Sequence, residues 1–308
     1  MDASNNGIQI LSLLARDEVG GLATNVRQTD DDFPADLYSF VAERVNQKLK
    51  KKVGRGDHLA KGWLDFGVDR KATKRPVMVM PYGGTRYSCR AYVDEWYQGR
   101  VLKGAKDPFV GEEVYRVTGY LSRLIWKAMN EVLTRPQQVM KWLQDVAKVL
   151  TSDDMAVKWT SPLGFPVKQK YNQQKREVIQ TLLGERQSHV QWQTDVPALD
   201  KRRQANGISP NFVHSLDAAA LHETVNLAST HYGIHSLAMI HDSYGTHSPK
   251  CDDLAAVLRH AYRKIFDEDL LLKFREEVEQ TTKKELPELP DYGSLKPESV
   301  LDSDYFFA

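Results

Sequence analysis

Residues 236–245 read Ser-Leu-Ala-Met-Ile-His-Asp-Ser-Tyr-Gly, an apolar run cut off by His241, Asp242 and Ser243. Leu237, Ala238, Met239 and Ile240 suit a strand buried on both faces. Ser243 to Gly245 predicts a turn, after which Thr246 and His247 return as a second strand. Asp242 then stands near the tip of a stiff hairpin, where a carboxylate needs little further ordering to bind a metal or to act in catalysis. An Asp beside Ser and Gly is also ordinary turn composition. A Ser-His-Asp triad is excluded for three consecutive residues, because strand neighbours point to opposite faces, and no Gly-x-Ser-x-Gly elbow occurs elsewhere.

The 308-residue chain is 41% hydrophobic with a mean hydropathy of −0.50, which suits one large domain or two smaller ones. No apolar run approaches a membrane span, so no membrane partner is expected. Cys89 and Cys251 lie far apart with no Cys-x-x-Cys pair, which fits a reducing cytoplasm and argues against structural zinc or a disulfide framework. Net charge is only +1, but cations cluster at Lys48 to Arg55, at Arg70 to Arg75 and at Lys201 to Arg203. One such cluster is ordinarily a solvated face. Three of them bracketing candidate active-site segments favour a polyanionic partner.

Outward from the hairpin, the N-terminus reads as a loop carrying Asp2, followed by one helix from Ile8 to Val19. Asp2 is a candidate metal ligand or a simple N-cap. Asp31, Asp32 and Pro34 predict the opening of a helix with Leu37, Phe40, Val41, Val45 and Leu49 on its apolar face. In the next segment Arg70, Lys74, Met78 and Tyr82 are four apart and share a slowly drifting helix face. Two cations and a phenol aligned in this way suit a triphosphate at one end and a sugar and base at the other, and the spacing equally fits a basic amphipathic helix that ends at Gly83. Pro76 and Pro81 must kink that segment or leave part of it non-helical. Scaffold helices are expected from Asp107 and from Pro136, and a hairpin at 157–171. Two further strands are expected at Glu177 to Leu183 and His189 to Gln193. Ser209-Pro210 predicts the start of a helix running to about Ser229, with Asn211 and His214 facing the hairpin tip. Helices at 254–266 and 270–278 precede an extended tail. The closing Tyr305-Phe306-Phe307 predicts that this tail docks on the body.

Asp2-Ala3-Ser4 with Arg16-Asp17-Glu18-Val19-Gly20-Gly21, then Arg70, Lys74, Tyr82 and Gly83, then Asn211-Phe212-Val213-His214-Ser215, then Ile240-His241-Asp242-Ser243 and finally Phe307-Ala308 occur in that order. Together they resemble the single-subunit DNA-dependent RNA polymerases of bacteriophages and mitochondria, on the phage branch. The resemblance implies a helix-rich α+β right-hand fold: palm at 1–34, fingers at 35–155 with a nucleotide-binding helix at about 70–83, and palm again at 156–308. It implies that Asp2 and Asp242, with the Ala3 carbonyl, hold two Mg²⁺ ions. Arg70 and Lys74 would grip the nucleotide phosphates, Lys74 also serving as an acid toward pyrophosphate, while Tyr82, His214 and Tyr38 would sit at the ribose. The implied partners are a DNA template, the nascent RNA and ribonucleoside triphosphates, in the cytoplasm of an infected bacterial host. Related DNA polymerases carry Lys-x-x-x-Phe/Tyr-Gly, whereas here Met78-Val79 follows Lys74 and Tyr82-Gly83 comes later, which favours ribonucleotides.

Members of that family carry several hundred residues before the first motif, including the promoter-recognition elements, the thumb and the first palm strand. The chain is therefore expected to be a C-terminal catalytic half that needs a separate N-terminal half. The alternative is a remnant that binds nucleic acid without turnover.

Overall fold

The computed structural model describes residues 1–29 and 32–307. Asp31 and Ala308, expected at a helix opening and at the C-terminus, lie outside the described residues. Among the described residues the fold is helix-rich, with three separate two-stranded antiparallel ribbons.

Helix α1, Asn6–Ala15, is buried along its whole length and lies against α8 (Thr134–Ser152) and α9 (Lys201–His231). The single helix expected over Ile8 to Val19 is instead two. Arg16 turns left-handed (φ 52), and the Asp17 carboxylate accepts from the Gly20 N–H at 3.1 Å to cap α2, Glu18–Ala23. Helices α3 (Leu37–Val53), α4 (His58–Phe66), α5 (Arg70–Val79), α6 (Arg86–Leu102) and α7 (Val114–Val132) pack on one another. Trp63 is fully buried among Phe66, Tyr97 and Phe109 at their centre. Helix α3 starts at Leu37 behind an Asp36 cap, later than Asp32-Pro34 suggested. Helix α5 gives way at Met80–Tyr82 to a 3-10 turn, as Pro81 requires.

Strands β1 (Val157–Thr160) and β2 (Pro166–Gln169) form the expected hairpin. The two short strands expected next are one long, exposed ribbon, β3 (Asn172–Leu183) with β4 (Arg186–Leu199). Helix α9 then begins at Lys201, well before the expected Ser209. Asp200 accepts from the Arg203 N–H at 2.9 Å and caps it, so Pro210 falls in the helix interior. A proline there removes one helical bond to the carbonyl four residues back. That residue is Asn206, and its carbonyl lies against Gly83 beyond the 3-10 turn. The interruption thus lies where α9 meets the end of the α5 segment.

Strands β5 (Ala238–Ile240) and β6 (Ser243–Gly245) make the hairpin expected around Asp242, and it differs from that expectation in two respects. The turn is His241-Asp242, with His241 left-handed (φ 53), so Ser243 already belongs to the second strand. The strand is not buried on both faces: Met239 and Tyr244 pair inward, while Ile240 is 74% exposed. The N-terminus, expected as a loop feeding a helix, pairs with β6. Met1 and Tyr244 exchange backbone hydrogen bonds at 2.9 Å, and Asp2 bridges Ser243.

Helices α10 (Cys251–Phe266) and α11 (Leu270–Thr282) complete the body. The tail docks as expected. The Gly293 N–H donates to the Ala15 carbonyl at 2.9 Å, and a Cβ at Gly293 would fall 2.0 Å from the Arg16 carbonyl oxygen, so only glycine fits. Phe306 and Phe307 are buried against Tyr262, and Phe307 also meets Tyr244 edge-on. Phe306→Ala should therefore destabilise the chain by about 3–5 kcal/mol, measured by urea denaturation. A loss below about 1 kcal/mol would mean that the tail contributes little to the core.

Candidate active site

Three segments distant in sequence converge on a cleft of about 910 Å³. The hairpin tip carries Asp242, the paired N-terminal segment carries Asp2 and Ala3, and the α5 segment carries Arg70, Lys74, Met78 and Tyr82. Tyr38 from α3, together with His214 and Asp217 from α9, closes the wall. The four-residue spacing from Arg70 to Tyr82 thus does place four side chains on one surface, although its last turn is 3-10.

At the acidic end, the Ala3 N–H donates to the Asp242 carbonyl at 3.2 Å, and the Ser243 hydroxyl donates to Asp2 Oδ1 at 3.2 Å. These bonds put Asp2 and Asp242 side by side. Asp2 is not an N-cap, because Asn5 caps α1 by accepting from the Ile8 N–H. Burial, reinforced by the neighbouring Asp2 charge, holds the Asp242 carboxyl above its ordinary range. No ion pair to Lys, Arg or His neutralises Asp2 or Asp242 among the described residues.

Asp217 is a third carboxylate in the wall, only 7% exposed. Burial is the main cause of its raised pKa. Asn6 Nδ2 donates to its Oδ1 at 2.6 Å, and the Tyr262 hydroxyl donates in turn to Asn6 Oδ1 at 2.6 Å. His241 Nδ1 lies 3.9 Å from the other oxygen. The sequence reading missed Asp217 as a site residue. The available signal was its i+3 spacing from His214 on one helix, which puts the two on the same face.

At the opposite end, Arg70 Nε bonds Asp36 Oδ2 at 2.7 Å and its guanidinium lies over the Tyr38 ring at 5.0 Å. Asp36 went unrecognised in the sequence as the anchor of this cation. Lys74 is exposed and makes no ion pair or hydrogen bond among the described residues. Between the two ends, Tyr82 and His214 stack with ring centroids 4.9 Å apart and 16° between planes. A Cβ on Gly7 would lie 2.9 Å from the Tyr82 hydroxyl, so glycine at this position lets the phenol reach α1. Burial, with the charges of Asp217 and Asp242, pushes that phenol up to about 12. Asn211, expected beside His214, points elsewhere: its amide donates to Gln169 Oε1 and to the Tyr171 hydroxyl.

The donor set suits a hard divalent cation. Two carboxylates without a close ion-pair partner and the adjacent Ala3 carbonyl are oxygen donors of the kind Mg²⁺ takes, and Mg²⁺ typically fills its remaining positions with water and substrate phosphate. No cluster of three or more acidic, His or Cys side chains with metal-holding geometry occurs among the described residues. The protein would therefore supply only a minority of the coordination sphere.

A family model described as DNA-dependent RNA polymerase matches residues 1–286. The chain belongs to this family. It is 32% identical to the DNA-directed RNA polymerase of Enterobacteria phage T3 and 31% identical to T7 RNA polymerase of Escherichia phage T7. Both comparisons cover the whole chain but only 39% of the phage protein, so the chain spans about two fifths of these relatives' length. DNA-directed RNA polymerase 2A of Nicotiana tabacum is 32% identical over 99% of the chain, which covers 90% of that relative. Among the described residues no helix is long and apolar enough to cross a membrane.

The crowded carboxylates lead to a stability prediction. Because the folded-state pKa of Asp242 is raised, the stability it contributes is present in acid, where the group is protonated, and is lost as pH rises through the folded value. Without divalent cations, Asp242→Asn should thus melt above the unsubstituted chain at neutral pH and converge with it at about pH 4. An equal or lower melting temperature at neutral pH would mean that the pair is not in electrostatic conflict.

Proposed function

We propose that this chain is the catalytic portion of a DNA-directed RNA polymerase. It would extend RNA on a DNA template from ribonucleoside triphosphates. The observation that carries the reading is the poled cleft, with paired Asp2 and Asp242 at one end, Arg70 and Lys74 at the other, and the stacked Tyr82–His214 pair between them. Asp2 and Asp242, with the Ala3 carbonyl, would hold two Mg²⁺ ions. When bound, these supply activation of the RNA 3′-hydroxyl and neutralisation of the triphosphate and departing pyrophosphate.

The remaining work falls to the chain's own groups. Lys74, unpaired and exposed, reaches the nucleotide phosphates and gives a proton to the pyrophosphate as it leaves. Arg70, held by Asp36 and Tyr38, offers a fixed cation beside it and costs little ordering when the nucleotide arrives. Tyr82 and His214 form the platform for the sugar, with Tyr38 on the adjoining wall, and favour a 2′-hydroxyl. The high pKa of Tyr82 keeps its phenol protonated as a donor at neutral pH.

In this reading the bundle at 35–155 serves as fingers, and the flanking segments 1–34 and 156–308 serve as palm. In this reading promoter recognition and grip on the hybrid fall to an N-terminal half, corresponding to the part of the phage relatives outside the 39% that the chain matches. The phage relatives likewise favour the cytoplasm of an infected bacterial host as its setting.

The test is extension of an RNA primer on a DNA template with Mg²⁺, using the chain alone and with a co-expressed N-terminal half of a related polymerase. Asp242→Asn should lower extension a hundredfold or more, roughly. Absence of extension in both mixtures, although the chain is folded and the halves associate, would leave a non-catalytic remnant. In an active mixture, Tyr82→Phe should retain extension while its preference for ribonucleotides over deoxyribonucleotides falls about tenfold, the scale of one lost hydrogen bond. An unchanged preference would remove Tyr82 from sugar selection.

A further inference from the structure

Where the β3–β4 ribbon is rooted, it meets the β1–β2 hairpin and the end of α11 around a second cavity of about 420 Å³. Lys158, Lys168 and Lys170 line it, with the single carboxylate of Asp154. Lys158 and Lys168 are direct cross-strand partners on one face of the hairpin, and Lys170, just past the end of β2, lines the same cavity. Like charges directly opposite on a two-stranded ribbon are destabilising. None of the three lysines has an ion pair or hydrogen bond among the described residues. Asp154, whose Oδ1 accepts from the Leu199 N–H at 3.0 Å, is one carboxylate against three ammonium groups, so the face stays net cationic.

This cationic face is not part of the cleft. Between Lys168 and Lys170, Gln169 points the other way and is buried, bonding the Gln204 carbonyl and accepting from Asn211 on α9. Helix α9 carries His214 into the cleft. The hairpin and α9 therefore stand between the lysines and the nucleotide pocket, and a triphosphate in that pocket does not reach them.

We infer that this cavity holds successive backbone phosphates of a single nucleic-acid strand running outside the cleft. Lys168 and Lys170, two residues apart, stand no more than about 7 Å apart along the backbone, comparable to neighbouring phosphates of an extended strand. The cavity is too small for a duplex but open to one chain of phosphates. Phosphodiester is the chemistry the amines recognise, and RNA and DNA share it. The inference rests on the reading that this protein handles nucleic acid, but not on catalysis.

The experiment uses the full chain with a short labelled single-stranded RNA, the same sequence as DNA, and inorganic tripolyphosphate. Two readouts apply: the salt dependence of binding, and protection of lysines from acetylation read by mass spectrometry. Each single-strand phosphate contact contributes about 0.7 to the slope of log affinity against log salt. Lys158→Gln/Lys168→Gln/Lys170→Gln should therefore lower the slope by about 2, and in the unsubstituted chain the strand should protect all three lysines. All three side chains are exposed, so the fold should be retained. Protection by RNA alone, DNA alone or both identifies the strand. The inference is overturned if the triple variant binds with an unchanged slope while Arg70→Gln/Lys74→Gln weakens binding, an outcome that leaves the cleft reading intact. Equal protection by tripolyphosphate overturns the assignment to a strand. Absence of binding by the unsubstituted chain overturns this inference and the nucleic-acid reading together.

Discussion

The site depends on a short backbone pairing between the first three residues and β6. Met1 and Tyr244 exchange hydrogen bonds, Asp2 faces Ser243, and Ala3 donates to the Asp242 carbonyl while also bridging Phe307. Two carboxylates 240 residues apart in sequence thereby come to neighbouring positions. Such a pair repels itself, so packing must hold it in place. That packing comes from Tyr244, Tyr262, Phe306 and Phe307, whose rings meet edge-on beneath the pairing. The docked tail is thus part of what positions the acids.

The second constraint is the buried chain from Tyr262 through Asn6 to Asp217. It ties the start of α1 to the middle of α9, and hence the acidic end of the cleft to the helix that carries His214. The cationic end hangs on a different element, α5, which joins α9 through the 3-10 turn and Gly83 near Pro210. Proline irregularities in both segments lie close to this junction. The cleft is therefore rigid where carboxylates must converge, and it offers Lys74, an unpaired side chain, where an anion would arrive.

Much of this was legible in the sequence because helical spacing and motif order survive without tertiary information. The spacing of Arg70, Lys74, Met78 and Tyr82, and the apolar-to-carboxylate break at Asp242, each specify a local surface on their own. What could not be read were features set by distant partners. The exposure of Ile240 follows from the hairpin having one packed face, which its apolar composition does not reveal. The early start of α9 reflects the Asp200 cap and tertiary packing overriding the Ser209-Pro210 signal. The two-helix split at Arg16 came from a left-handed residue that no periodicity encodes. Asp217 and Asp36 were missed because a carboxylate's role depends on what it faces, and Asn6 and Arg70 are far from them in sequence.

The central claim is that Asp2 and Asp242 act as one cation-holding pair. Its most direct test is titration of the folded chain with Mn²⁺ as a magnesium stand-in, followed by electron paramagnetic resonance, for the unsubstituted chain, Asp2→Asn and Asp242→Asn. The account predicts that each substitution weakens binding strongly and that the double variant is little worse than either single one, as expected of shared ligands. Binding that survives both single substitutions at full strength would contradict it.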